Sequence, residues 1–126
     1  MTSEPTFCIK IDVERNLART RYSGAQTGAG MREAALKVES LLPKLKPGFT
    51  VFADFSNVAS MDFDCVPHLT RVMDPCRAHG VSMVVRLLPK PEKDIGINLL
   101  SIVHYRGKIK MVTVDTIEEA ERVLGE

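Results

Sequence analysis

Apolar residues fall on every second position at the start of the chain. Phe7, Ile9, Ile11 and Val13 alternate with Cys8, Lys10 and Asp12, and then Ala18, Thr20 and Tyr22 alternate with Arg19 and Arg21. Successive side chains of a strand point to opposite faces, so this period predicts two half-buried strands joined as a hairpin by the short turn Glu14, Arg15, Asn16. One face of the second strand is basic. Gly24, Gly28 and Gly30 interrupt the alternation, and from Met31 the period changes: Met31, Ala34, Ala35, Val38, Leu41 and Leu42 recur at helical spacing. The cluster Pro43, Pro47 and Gly48 ends that helix.

Two later segments are apolar without alternation. Phe49 to Phe55 and Val81 to Leu88 are short continuous runs, which suits inner strands buried on both faces, and Asp54 sits at the carboxyl end of the first. Between them Cys65, Leu69, Val72, Met73 and Cys76 lie on one stripe of an amphipathic helix, opened by Asp62 or Asp64 as a cap, with Pro67 in its first turn and Gly80 closing it. Pro75 predicts a kink, or a fresh helix start capped by Asp74. Beyond a loop at Pro89 to Lys93, the residues Ile95, Leu99, Ile102 and Val103 set a third helix, Ile109 to Val114 a last strand, and Ile117, Ala120, Val123 and Leu124 a final helix. Thr116 and Glu119 form the capping box of that last helix. A hairpin followed by helix–strand alternation predicts an α/β domain with right-handed crossovers: a four- or five-stranded mixed sheet, the hairpin at its antiparallel edge, covered by about four helices. The expected core runs from about Thr6 to Leu124 within a single domain, 1–126.

Composition narrows the function classes. The chain has 126 residues, 44% hydrophobic and 26% charged, the profile of one ordinary globular domain. Seventeen Lys plus Arg against sixteen Asp plus Glu leave +1, so no chain-wide field recruits nucleic acid or an anionic membrane. No apolar run approaches the roughly 20 residues of a membrane helix. The start, MTSEPTFCIK, lacks the basic flank and apolar stretch of a signal peptide, and the expected compartment is the cytoplasm. Cys8, Cys65 and Cys76 are an odd set without a CxxC, and Cys65 and Cys76 would stand about 16 Å apart on a helix. They read as small packing residues, with no disulfide and no metal site.

Several patterns in the chain resemble catalytic motifs but fit plainer roles. Asp62 and Asp64 form an Asp-x-Asp pair of the kind that haloacid-dehalogenase-type phosphatases place directly after a strand. Here Asn57 to Met61 is a poor strand and Pro67 follows at once, so the two acids read as helix caps. The glycine run Gly24 to Gly30 fits neither a Walker loop nor GxGxxG and reads as a flexible turn into the helix. His68, His79 and His104 are scattered, without a partner acid or thiol at readable spacing, and read as surface or helix-end residues. Lys90, Lys93, Lys108 and Lys110 with Arg86 and Arg106 read as a solvated rim. No catalytic residue, cofactor or metal emerges, and the chain does not read as an enzyme.

The stretch ADFSNVASMDFDCVPHLTRV, Ala53 to Val72, resembles the central motif of STAS domains, the anti-sigma factor antagonist family and its SpoIIAA-like relatives. A buried strand ending in Asp, a hydroxyl residue, an apolar pair, an Asp and an amphipathic helix are matched by Asp54, Ser56, Val58, Met61, Asp62 and Leu69 without a gap. The segment His79 to Leu87 resembles the family's helix-ending Gly and next strand, and the order of elements is the family's. In family switches the second serine after the motif Asp is phosphorylated; here the two serine places hold Phe63 and Asp64, and the glycine place holds Cys65. The resemblance implies a non-catalytic regulatory module that docks a partner protein around Asp54, Ser56, Asp62, Phe63, Asp64, Cys65 and His68, with Asp64 at the phosphoacceptor position. It also implies pairing into a homodimer, and the hairpin's free edge offers a surface for that. An alternative is a carrier of a small apolar ligand or lipid, because SpoIIAA-like proteins resemble the CRAL-TRIO fold and Met31, Met61, Met73 and Met83 would line an adaptable cavity. A closed apolar pocket of several hundred Å³ would mark the carrier, and a filled core the docking module.

Overall fold

The computed structural model describes residues 6–61, 63–87 and 109–125. Strand β1 (Thr6–Asp12) turns into β2 (Leu17–Gln26), and helix α1 (Gly28–Leu41) leads through a 3₁₀ turn (Leu42–Lys44) to β3 (Thr50–Met61). A second 3₁₀ turn (Phe63–Cys65) opens into α2 (Val66–Ala78), followed by β4 (Met83–Leu87), β5 (Lys110–Val114) and α3 (Ile117–Leu124). The helix expected around Ile95 to Val103 and the loop at Pro89 to Lys93 lie outside the described residues.

The five strands stand in the order β1-β2-β3-β4-β5, with β1 antiparallel to β2 and every later pair parallel. This is the mixed sheet that the run types predict: alternating at the hairpin edge, continuous inside. Asn16 takes the left-handed conformation (φ 52°) that tightens the hairpin turn, which Asn tolerates better than most residues. Its side-chain amide donates to the Lys46 carbonyl at 3.0 Å and accepts from the Lys46 amide at 2.9 Å, tying the hairpin to the entry of β3.

The parallel neighbours need crossovers, and α1 and α2 supply the first two, on one face. Met31, Ala34 and Val38 of α1 and Met73 and Cys76 of α2 pack against Ala18, Tyr22, Ala53, Phe55 and Val84. Tyr22 stacks on Phe55 at 4.8 Å between ring centroids and leans on Phe7 at 4.9 Å. Burial holds the Tyr22 phenol well above its ordinary range, with the Cys76 thiol a lesser cause. On the other face Leu17, Phe52, Val85, Leu87 and Val114 gather around Ala120 of α3. The Thr116 hydroxyl accepts from the Glu119 amide at 3.2 Å, so the expected cap of α3 forms.

Several local expectations change. β2 does not stop at Gly24 but runs to Gln26, and β3 continues through Asn57 to Met61, a segment whose side chains make a poor strand. The two extensions pair with each other, Ser23 with Asn57 through Gln26 with Met61, across two register shifts with Gly24 at φ 76°. Backbone pairing carries them where side-chain pattern does not. The glycine run is therefore split: Gly24 lies in β2, Thr27 caps α1 by accepting from the Gly30 amide at 3.1 Å, and the helix starts at Gly28, ahead of Met31.

Helix α2 passes through Pro75 as one helix, without a new start at Asp74. A proline this close to the end orphans only the carbonyl of Arg71, while Met73 and Cys76 on either side stay buried. Gly80 (φ 93°) then closes α2, with its amide bonded to the Arg77 carbonyl and that of Val81 to Cys76, the Schellman arrangement.

Candidate functional site

The chain leaves β3 at Met61 and makes the single 3₁₀ turn Phe63–Cys65 before α2 begins. Asp64 is exposed in that turn. It does not cap α2, as the sequence suggested it would: the cap position is Cys65, whose helical dihedrals (φ −71°, ψ −25°) give no side-chain cap bond. A capping side chain needs the extended backbone that Thr27 and Thr116 have.

Gly28 explains how Asp64 is held. A Cβ on Gly28 would lie 2.8 Å from the Asp64 Cβ and 3.3 Å from its carbonyl oxygen, so the first turn of α1 packs directly on the 3₁₀ turn. Only glycine permits that approach. The first turn of α1 contains no acid of its own, and the Cβ and backbone of Asp64 lie against its first residue. This role of Gly28 was missed in the sequence; the available signal was a glycine directly after a helix-capping Thr, where a better helix former is expected.

The other residues of the expected surface separate into groups. Cys65 is 0% exposed and packs in the core, so it supports the surface from behind. Asp54 is buried too, but its side chain lies with that of Phe52 on the sheet face away from α1 and α2. Its carboxylate Oδ1 accepts from the Ser56 amide at 2.8 Å and the Ser56 hydroxyl at 2.5 Å, and Oδ2 faces Arg21 Nε at 3.4 Å, with the two side chains 5% and 61% exposed. Asp54 is paired with Leu87 at the last rung between β3 and β4, which places it at the carboxyl end of that ladder although β3 itself runs on. Ser56 is exposed, and His68, in the first turn of α2, is half-buried. The His68 Nδ1 is buried and has no hydrogen-bond partner among the described residues. Asp62 and the side chain of Phe63 lie outside the described residues.

The scattered candidates resolve differently. His79 ends α2, its Nε2 2.6 Å from the Leu45 carbonyl oxygen, and His104 lies outside the described residues. Arg86, read as part of a solvated rim, is instead 3% exposed inside the sheet, donating to the Thr113 hydroxyl at 2.6 Å. Burial lowers its pKa. Lys110 is exposed, while Lys90, Lys93, Arg106 and Lys108 lie outside the described residues. Cys65 and Cys76 are packing residues as expected, but Cys8 is exposed. Among the described residues no group of His, Cys, Asp or Glu could hold a metal ion.

Between the sheet and helices α1 and α2 there is a cavity of about 50 Å³, lined by Tyr22, Phe55, Met73, Cys76 and Arg86 among others. Drug-sized ligands occupy roughly 300 Å³ or more. Of the four methionines expected to line an adaptable pocket, Met73 does so; Met31 is packed without exposure, Met83 belongs to the other face, and the Met61 side chain lies outside the described residues. Among the described residues this cavity is well below the several hundred Å³ expected of a carrier.

Comparison with solved structures places the fold. The chain is similar to a protein of the DUF3478 family with a SpoIIAA-like fold from Shewanella loihica PV-4 (TM-score 0.70, 11% identity, 98% of each chain covered). It is similar also to the anti-sigma factor antagonist SpoIIAA in its unphosphorylated form (TM-score 0.63, 20% identity, 96% of this chain and 100% of that one). A third likeness is to an anti-sigma factor antagonist from Mycobacterium paratuberculosis (TM-score 0.61, 12% identity, 100% of each chain). No protein-family model matches the chain, and no curated protein matches it significantly. At these identities the likeness is one of fold: the chain has a mixed α/β, SpoIIAA-like fold.

Proposed function

We propose that this chain is a non-catalytic regulatory module that docks a partner protein through the surface where the 3₁₀ turn and the start of α2 meet the start of α1, with Asp64 at the phosphoacceptor position. The observation that carries this reading is that Asp64 is exposed, held against Gly28, and does not serve as the cap of α2. An exposed carboxylate on a closely held backbone, without a capping role, is available to a partner. Two proteins of similar fold are named anti-sigma factor antagonists, and SpoIIAA is known in both an unphosphorylated and a phosphorylated form. Asp64 supplies one constant negative charge, where a phosphoserine brings about −1.5 to −2, so the surface is set in one state and not switched. Ser56 and His68 border the contact, and Cys65 braces it from the interior.

The module works in the cytoplasm and pairs through the free edge of β1, since two-fold pairing is a common way to cover an exposed strand. No helix among the described residues is long and apolar enough to cross a membrane. The test is a set of Asp64→Ser, Asp64→Ala and Asp64→Lys chains used with the wild type to capture partners from the native cytosol, followed by affinity measurement on the protein recovered. Stability is expected to change by no more than about 0.5 kcal/mol, because the side chain caps nothing in α2. Partner affinity is expected to fall most for Lys. Equal affinity for all three variants would end this reading.

A further inference from the structure

We propose that the outer edge of β1, with the groove beside it, pairs with the β1 of a second copy of this chain, antiparallel and centred on Ile9. This rests on the two-fold pairing stated under the proposed function and gives it a register. Among the described residues β1 has one neighbour, β2, so no strand lies along the outer side of Thr6–Asp12. Seven residues without proline or glycine are long enough to template another strand. On the α1 side of this edge, Phe7, Ala34, Leu36 and Lys37 line an open groove of about 490 Å³. Leu36 is 51% exposed, second only to Val13 among the large apolar residues described.

The occupant that fits is an extended strand with apolar residues on alternate positions, because its backbone continues the ladder while its apolar side meets Phe7 and Leu36. β1 is itself such a strand. Phe7, Ile9 and Ile11 pack toward α1 and α2, and Cys8 and Lys10 line the opposite face. A two-fold pair of one strand with itself is antiparallel and keeps each face in place, so its axis passes beside a single residue. An axis at Lys10 sets that lysine against its own copy, which like charge disfavours. Axes at Cys8 or Ile11 leave part of β1 without a strand partner. The axis at Ile9 pairs all seven residues: Phe7 with the partner's Ile11, Ile9 with the partner's Ile9, Cys8 with the partner's Lys10 and Thr6 with the partner's Asp12. The aromatic-to-β-branched contact is made twice, no like charges stand directly opposite, and the partner's Ile11 enters the groove beside Leu36.

Cys8 is exposed while Cys65 and Cys76 are buried, so position 8 can carry a test charge without entering the core. Sedimentation equilibrium of the full chain is expected to show a dimer. Cys8→Glu, opposite the partner's Lys10 at two places, is expected to tighten it about fivefold, and Cys8→Lys to weaken it about fivefold. Adding Lys10→Glu to Cys8→Lys is expected to restore the dimer, with circular dichroism showing that Cys8→Lys alone is folded. In a Cys8→Ser background, Ile9→Cys is expected to form an intermolecular disulfide on mild oxidation, because directly opposite Cα atoms stand about 4.5–5.5 Å apart, whereas Ile11→Cys is not. A monomer at millimolar concentration overturns both the pairing and its register. A dimer unchanged by the Cys8 variants, or cross-linked through Ile11→Cys in place of Ile9→Cys, overturns the register alone. Tightening by Cys8→Lys with weakening by Cys8→Glu assigns the axis to Ile11, where Cys8 faces the partner's Glu14, and also overturns it. None of these variants touches Asp64, so the docking reading stands or falls separately.

Discussion

The two faces of this sheet are built from the same strands and come to different ends. Beneath α1 and α2 the layer is apolar apart from Thr20 and Arg86, running from Phe7 and Ile9 through Tyr22 and Phe55 to Val84. On the other side the apolar cluster covers Leu17, Phe52, Val85, Leu87 and Val114, and the hairpin end carries Lys10, Arg19 and Arg21 instead. Among the described residues two helices, of 14 and 13 residues, pack on the first face and one of 8 residues, α3, on the other. A helix about 10 Å wide covers about two strands at about 4.8 Å spacing, so α1 and α2 together bury more of the sheet than α3 does.

Truncations on the two faces give the largest expected contrast. Tyr22→Ala removes the ring between Phe7 and Phe55 and is expected to cost about 3–5 kcal/mol in urea unfolding. Val85→Ala, in the smaller cluster around α3, is expected to cost about 2 kcal/mol. If Val85→Ala proved the more damaging, the second face would be the structural one and the contrast would fail.

Gly28→Ala probes how tightly the helical layer of the first face is set. Alanine favours a helix by about 1 kcal/mol over glycine, yet its Cβ would meet Asp64 at 2.8 Å. The clash is expected to win, lowering stability by about 1–2 kcal/mol and shifting the amide resonances of Asp64 and Cys65. A more stable variant with unmoved resonances would show that the two turns are not in contact.

The smallest effect belongs to α3. Hydrogen bonding to Asp115 raises the Glu119 carboxyl above its ordinary value, with burial and the Asp115 charge adding to it. A raised carboxyl binds its proton more tightly in the folded chain, so this group's unfavourable contribution at neutral pH is relieved as pH falls through its folded value and is gone below the ordinary Glu value. Asp115→Asn is expected to bring the Glu119 midpoint down, as followed by carboxyl NMR, and to flatten the acid-side dependence of α3. An unmoved midpoint would assign the shift elsewhere.

Much of the fold is legible because each run of residues reports its own surroundings. Alternation from Phe7 to Tyr22 can serve only a half-buried pair, and the unbroken apolar runs around Phe52 and Val85 only inner strands. The extension of β2 through Gly24 and of β3 through Asn57 is not legible, since each is held by the other's backbone and not by its own side chains. Asp64 was placed correctly between β3 and α2 but misread as a cap, because capping depends on the dihedrals of a single residue, Cys65.

By itself the sequence determined the periods, the breaks between them and the hairpin with its basic layer, all properties of neighbouring residues along one chain. Only the tertiary structure decided that Gly28 meets Asp64, that Arg86 is interior, and that Lys10, Arg19 and Arg21 border one concave space with Asp54 and Ile117. Those are meetings of segments far apart in sequence. They depend on register, helix length and close backbone approach, and no local pattern encodes them.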